Sequence, residues 1–171
     1  MRKALSAELL MCIVVLLTLL IPTGYATKPQ DVEGTVDYTF EIIEELTRVA
    51  DGNTFIYAIE WENWAGDFEG TAEAFFRVGM FSSAGFWNVW LRTTFTGTVN
   101  GESGTLVIQL VGKKPDGQDW YGQWVILSGT GELADLRGRG IWGGPGFGAT
   151  GPDLWYEGKI HSKQDWERIL S

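Results

Sequence analysis

Apolar and polar residues alternate along much of the chain, which is the pattern of half-buried β-strands. In Thr35–Leu46, Val36 and Tyr38 share one face, whereas Asp37 and Thr39 occupy the other. Seven further stretches have strand character: Thr54–Trp64, Phe68–Val78, Phe86–Val99, Thr105–Val111, Trp120–Ser128, Gly138–Gly143 and Leu154–His161. The pattern therefore predicts eight strands, with no long helix between them.

Turn residues separate several of these strands. Asp51-Gly52-Asn53 and Asn100-Gly101 are typical of tight hairpins, which join antiparallel neighbours. Because no long helix covers the sheet, its apolar face must be covered by the sheet itself, in a sandwich or a closed barrel. Phe86–Val99 is long for a sandwich strand and suits a tilted barrel strand. We expect an eight-stranded antiparallel closed barrel, with the glycine-rich segment Gly143–Gly151 as a mobile loop at its mouth.

A glycine-threonine pair recurs in the predicted strands. It occurs within Glu33–Thr35, Glu69–Thr71, Thr96–Thr98, Ser103–Thr105 and Ser128–Thr130. Glycine permits a sharp bend, and a β-branched residue then resumes the strand. These positions are expected to be the corners of the barrel, although a glycine-rich chain also produces such pairs by chance.

The N-terminus has the features of a secretory signal. Arg2 and Lys3 precede the apolar run Leu9–Ile21, and small residues at Gly24 and Ala26 indicate cleavage after Ala26. The alternative is an uncleaved membrane anchor. At the other end, apolar residues at helical spacing predict a short helix. The expected organisation is a signal peptide (1–26), a flexible lead-in (27–33), the barrel (34–162) and the C-terminal helix (163–171).

Composition excludes several chemistries. The net charge of −9 disfavours nucleic acid as a partner. Cys12, the only cysteine, lies inside the apolar run, so the exported part has neither a disulfide nor a thiolate nucleophile. His161, the only histidine, does not suffice for a histidine-rich metal centre. No metal and no cofactor are expected, and the membrane is a partner only if the N-terminal segment is retained.

Three segments together resemble a known family. They are Asp67–Thr71 (DFEGT), Phe95–Leu106 (FTGTVNGESGTL) and Trp124–Gly140 (WVILSGTGELADLRGRG). The chain resembles an uncharacterised microbial domain family that is related to the allene oxide cyclase and dirigent-type β-barrels. The resemblance implies an eight-stranded, calycin-like barrel with a central cavity, and it transfers no catalytic residue.

Glu60 and Glu62 lie on one face of a predicted strand, where two carboxyl groups can act as acid and base. The opposite face of this strand carries Tyr57 and Trp61. If that aromatic face points inward, both glutamates face water, and this is the expected arrangement.

Tryptophan is abundant, with nine residues in the chain. Aromatic side chains lining a barrel suit a small apolar or aromatic ligand. The candidate ligand-binding residues are Tyr57, Trp61, Trp87, Arg92 and Trp124. The alternative is that the tryptophans fill the core and Arg92 lies outside.

The favoured hypothesis is an exported barrel that binds a small, largely apolar ligand without covalent chemistry. One alternative is a cyclase or isomerase-type enzyme that acts by positioning its substrate in the cavity. The other is a surface interaction protein whose barrel is filled.

Overall fold

The structure, a computed structural model, describes residues 29–148 and 150–162. Within these ranges the chain forms nine strands and two short 3₁₀ turns, at Glu44–Leu46 and Ser82–Ala84. The strands are β1 (Gln30–Ile42), β2 (Arg48–Ala50), β3 (Asn53–Gly66), β4 (Phe68–Phe81), β5 (Phe86–Val99), β6 (Glu102–Pro115), β7 (Trp120–Gly131), β8 (Arg137–Gly144) and β9 (Leu154–His161). All eight predicted strands are present, and β2 is additional. The first strand ends at Ile42, and the predicted end at Leu46 was wrong because Glu44–Leu46 forms a 3₁₀ turn.

The sheet is antiparallel throughout and closes on itself. From β3 to β9 each strand pairs with the next along the chain, and β1 pairs with both β9 and β3. These pairings form a ring of eight strands, and β2 is attached to β3 outside the ring. The all-β antiparallel prediction is confirmed. Because the sheet closes on itself, it covers its own apolar face, as expected where no helix packs against it.

Two hairpins use the predicted turns. Asp51 and Gly52 have φ values of 51° and 75°, and Asn100 and Gly101 have 52° and 87°. Positive φ at both central residues is the conformation of type I′ turns, which favour Asn-Gly and Asp-Gly.

Glycines of neighbouring strands lie side by side in the sheet. Gly70 of β4 pairs with Gly97 of β5, and Gly97 pairs with Gly104 of β6. A Cβ atom at Gly97 would collide with the backbone carbonyl oxygen of Glu69. Glycine is therefore required here for steric reasons. The predicted role of the glycine-threonine pairs as barrel corners stays a prediction.

An aromatic cluster fills one end of the ring, which we call the packed end. The ring of Phe68 lies 5.8 Å from Trp64, 5.9 Å from Phe95 and 5.3 Å from Tyr156, between centroids. The Tyr156 hydroxyl accepts a hydrogen bond from the Phe68 backbone N–H at 2.9 Å. Burial raises the pKa of Tyr156 to about 12. This end therefore consists of tightly packed rings around one buried hydroxyl.

The predicted boundaries change at the N-terminus. β1 begins at Gln30, so part of the predicted lead-in (27–33) is strand and pairs with β9. The predicted signal peptide (1–26) and C-terminal helix (163–171) lie outside the described residues. No helix in the described part of the chain is long and apolar enough to cross a membrane.

Candidate functional site

The inner face of β3 carries two glutamates. Glu60 is 5% exposed and Glu62 4% exposed, whereas Trp61 between them is 43% exposed. The expectation that the glutamates face water was wrong. Both faces of β3 contain large apolar residues, so alternation alone does not decide which face is inside. Small partners on β4 favour the observed face, since Glu60 pairs with Ala74 and Glu62 with Ala72.

A cavity of about 400 Å³ occupies the end of the ring opposite the packed end. Glu60 lies on its wall, and Lys114 lies at its rim. The remaining lining is mostly apolar, and its aromatic members are Tyr38, Phe40, Phe76, Trp87, Trp120, Trp142 and Phe147. An apolar pocket with few polar groups is the usual form of a small-molecule site.

Hydrogen bonds hold Glu62 in a fixed position below the cavity. Its Oε2 atom accepts from Trp64 Nε1 at 2.6 Å and from Thr93 Oγ1 at 2.9 Å. Thr93 is fully buried. Glu62 is also hydrogen-bonded to the carboxyl group of Glu60. Glu62 therefore orients Glu60, which contacts the cavity.

The environment of the two adjacent carboxyl groups favours their protonated forms. Burial and the nearby charge of Glu62 raise the pKa of Glu60 well above its ordinary value. Burial also raises the pKa of Glu62, and the hydrogen bonds from Trp64, Thr93 and Glu60 offset part of that rise. Two adjacent buried carboxyl groups do not both ionise readily. The pair is therefore more readily protonated than isolated carboxyl groups, and Glu60 is the member that contacts the cavity.

Three residues of the glycine-rich segment between β8 and β9 line the cavity: Pro145, Gly146 and Phe147. The Tyr38 hydroxyl accepts a hydrogen bond from the Phe147 backbone N–H at 2.9 Å. Asp153 accepts from the backbone N–H groups of Tyr38 at 3.0 Å and of Gly148 at 3.2 Å. Burial raises the pKa of Tyr38 to about 12. These bonds fasten the segment to β1, and its predicted mobility stays a prediction.

Two of the five predicted ligand-binding residues lie inside the ring. Trp87 lines the cavity. Trp124 is 3% exposed, and its ring lies 6.0 Å from that of Phe68 at the packed end. Its indole Nε1 donates to the Glu157 carbonyl at 3.1 Å. Trp87 therefore remains a candidate for ligand contact, whereas Trp124 belongs to the packed core.

The other three predicted residues lie on the outer face of the sheet, so their expected place in the cavity was wrong. Tyr57 and Trp61 point away from the ring because they alternate with Glu60 and Glu62 on β3. Arg92 is exposed, and its guanidinium lies 5.7 Å from the ring centroid of Trp90.

Outer depressions are less suited to a specific ligand. Two of them have volumes of about 550 and 670 Å³, but none of their ionisable side chains is buried. Among the described residues, no group of three or more His, Cys, Asp or Glu side chains is arranged to hold a metal ion. The inner cavity combines enclosure with a buried acid, so it is the candidate site.

Sequence reasoning considered Glu60 and Glu62 but assigned them to solvent, and it missed Tyr38, Thr93 and Asp153 as parts of the site. A signal was present in the alternation of small residues at Ala72 and Ala74, directly opposite the glutamates. Alanine on a neighbouring strand leaves room for a longer side chain, whereas an aromatic residue fills it. The contribution of Asp153 depends on the path of a loop, which hydrophobic periodicity does not predict.

Comparison with known proteins identifies the family. Residues 32–142 match a family described as "Protein of unknown function (DUF3224)". The chain belongs to this family. A crystal structure of a DUF3224 member from Shewanella oneidensis MR-1, of unknown function, is similar, with a TM-score of 0.65 and 18% identity. The similarity covers 78% of this chain and 96% of that one. It shows a shared fold.

No curated protein matches the chain. The uncharacterised-family part of the resemblance is confirmed by the DUF3224 match. Neither the family match nor the Shewanella structure is evidence for a relationship to allene oxide cyclases or dirigent proteins. That wider relationship stays a prediction.

Proposed function

We propose that this DUF3224 protein is an exported β-barrel that binds a small, largely apolar molecule in its inner cavity, without covalent chemistry. The observation that carries the proposal is the cavity of about 400 Å³, apolar on most of its wall, with a buried carboxyl group at Glu60. Apolar walls supply affinity through the hydrophobic effect, and a single polar group orients the ligand.

The surroundings of Glu60 support this proposal over a filled-barrel surface protein. The packed end shows that this sequence can fill the ring with aromatic side chains, and the other end is left open. Burying a carboxyl group costs free energy unless it has a partner. An acid retained beside a cavity is more readily explained by ligand recognition than by packing.

A cavity-filling variant tests the proposal. Val78 is 8% exposed and lines the cavity, so Val78→Phe should reduce binding of the neutral dye Nile red by about tenfold or more. The matched control is Val111→Phe on the outer face, where the valine is 41% exposed. Binding is measured by dye fluorescence and folding by circular dichroism. Equal binding by both folded variants would place the dye outside the cavity and contradict the proposal.

A cyclase or isomerase-type enzyme is the second candidate, and the raised pKa of Glu60 favours it. A neutral carboxylic acid inside an apolar cavity can donate a proton to a bound substrate. In this function Glu60 is the proton donor, and Glu62 positions it through their hydrogen bond. The cavity walls hold the substrate in a reactive conformation.

Mass spectrometry of co-purified ligands separates the two candidates. The wild-type protein and Glu60→Gln are expressed in the same host, and their bound molecules are compared by mass and chromatographic retention. For an isomerase, the variant retains a molecule of equal mass but different retention. Identical ligands in both proteins favour the binding function, and the outer-face variant Glu73→Gln controls for expression effects.

Export is part of the proposal and is supported by residues 1–26 alone. Intact-mass measurement of protein released from the expressing cells tests it. The expected mature chain begins at Thr27. Retention of the full chain in the membrane fraction would support an anchor instead.

A further inference from the structure

Among the described residues, the carboxyl pair in the cavity has no cationic partner. Glu60 is hydrogen-bonded to Glu62, another acid. In the described part of the chain, the ion pair that is formed joins Lys159 and Asp31 on the outside, far from the cavity along both strands. Asp153 also acts electrostatically on Glu60, and it is acidic as well, so it adds no positive charge. A buried negative charge is normally paired with a positive one. The positive charge that is missing beside this pair can be supplied by a ligand.

The cavity walls near the mouth suit an organic cation. Trp87 and Trp120 lie with ring centroids 6.2 Å apart, and Trp120 and Trp142 with centroids 6.4 Å apart. Aromatic faces attract ammonium groups, and tryptophan does so most strongly. The protein itself uses this attraction, since the ammonium of Lys114 lies 5.8 Å from the Trp120 centroid.

Lys114 does not neutralise the carboxyl pair. Its ammonium donates a hydrogen bond to the Pro145 carbonyl at 3.0 Å, which holds it at the rim. Tyr38 also lines the cavity, and its phenol carries no charge at pH 7; burial raises its pKa further, to about 12. The deeper part of the cavity therefore keeps a net negative potential.

We propose that the cavity selects lipophilic amines, with the ammonium group bound at Glu60 and the apolar body held between the aromatic walls. This inference rests on the proposed function, because it names the class of ligand for the same cavity. It also disfavours carboxylic acids, since their anions would lie next to Glu60, Glu62 and Asp153.

Binding of an amine should release a proton from the carboxyl pair. Before binding, the pair retains one proton between Glu60 and Glu62. An ammonium group donates hydrogen bonds and adds a positive charge, so it stabilises both carboxylates in their ionised forms. The proton shared by the pair then leaves to the buffer, and the ammonium keeps its own protons. A neutral alcohol leaves the pair protonated and releases none.

Three ligands with the same chain length test the inference: octylamine, 1-octanol and octanoate. Binding to the wild-type protein is followed by tryptophan fluorescence and by calorimetry at pH 7 in two buffers with different ionisation enthalpies. Octylamine should bind at least about tenfold more tightly than 1-octanol, octanoate should bind most weakly, and octylamine alone should release protons. Octanol binding as tightly as octylamine, or amine binding without proton release, would overturn the inference.

Two variants locate the effect. In Glu60→Gln the preference for octylamine over 1-octanol should fall by about fivefold or more from the wild-type value, because the ammonium group loses the carboxylate that lines the cavity. Glu73→Gln, on the outer face of β4, should keep the wild-type preference. An unchanged preference in folded Glu60→Gln would also overturn the inference. Proton release is measured on the wild type, so the inference remains testable even if Glu60→Gln does not fold.

The proposed function is judged separately by its neutral probes. If 1-octanol and Nile red bind in the cavity but octylamine has no advantage, cavity binding stands and amine selectivity fails. If the neutral probes bind Val78→Phe as well as they bind wild type, the cavity itself is not the binding site and both proposals fail.

Discussion

Glu60 and Glu62 are hydrogen-bonded to each other inside the ring, although both are acidic side chains. Alternate residues of a strand share a face and are roughly 7 Å apart along it, which is within reach of two glutamate side chains that converge. Trp64 and Thr93 hold Glu62 by its Oε2 atom, so Glu60 is the member that contacts the cavity. The pair is thus asymmetric, because Glu62 is anchored by hydrogen bonds and Glu60 faces the cavity.

The first prediction concerns the pH dependence of stability. The folded state raises the pKa of both carboxyl groups, mainly by burial. The unfolded chain therefore releases these protons more easily, so their contribution to stability is present below their ordinary value of 4.5 and is lost as the pH rises. Between about pH 5 and pH 8, the free energy of unfolding should fall more steeply for wild type than for Glu60→Gln.

Urea unfolding at several pH values measures this difference. Glu73→Gln serves as the control, because Glu73 is exposed on the outer face and its variant should keep the wild-type slope. Parallel pH profiles for wild type and Glu60→Gln would show that the pair does not retain a proton in the folded state.

The second prediction concerns the support of Glu62. Thr93→Val keeps the shape of the side chain but removes the hydroxyl that donates to Glu62 at 2.9 Å. Since the carboxylate is buried, losing this donor should lower the free energy of unfolding by about 1–3 kcal/mol at neutral pH. The neighbouring Thr94→Val, on the exposed face of β5, should change stability far less. Chemical denaturation measures both, and equal effects would contradict a specific role for the Thr93 hydroxyl.

Much of the fold was accessible from the sequence. Turn residues such as Asp51-Gly52 and Asn100-Gly101 require positive φ values, and few residue types accept them. The alternating segments near these turns are strands in the structure, although the chain before Asp51 also contains a 3₁₀ turn and the short strand β2. This information is local, which is why it can be read without knowing the neighbours of each strand.

The sequence pattern does not predict which face of β3 points into the ring. Its two faces carry Tyr57 and Trp61 on one side and Trp64 with the glutamates on the other, so each face has a large apolar content. A shift of one residue in register exchanges the faces. The register depends on pairing with β1 and β4, and the site depends in addition on Thr93 from β5. These are long-range relationships that hydrophobic periodicity does not contain.

The third prediction concerns the closely spaced glycines. Gly97→Ala places a Cβ atom against the carbonyl oxygen of Glu69, which is backbone and cannot rotate away. The strands must separate locally, so stability should fall by about 1–3 kcal/mol. Thr96→Ala, at the exposed neighbouring position, should have a small effect. Thermal denaturation compares the two variants, and a Gly97→Ala variant as stable as wild type would show that the contact is not tight.

The fourth prediction concerns the hydroxyl of Tyr156 at the packed end. This hydroxyl is the partner of the buried Phe68 N–H, and burial raises its pKa to about 12. Tyr156→Phe leaves that N–H without its acceptor, so the free energy of unfolding at pH 7 should fall by about 1–3 kcal/mol. Tyr121→Phe is the matched control, because Tyr121 is 54% exposed and the same atom is removed at no packing cost.

The pH dependence separates the role of this hydroxyl from a general packing defect. An unfolded tyrosine ionises near pH 10, whereas the folded protein keeps Tyr156 protonated to about 12. As the pH rises through this interval, ionisation favours the unfolded wild-type chain, and the phenylalanine variant lacks this contribution. The stability gap between wild type and Tyr156→Phe should therefore narrow between pH 10 and about pH 12, as measured by urea unfolding. A gap that stays constant over this interval would mean that Tyr156 ionises equally in both states, and the hydroxyl would then lack the buried environment described here.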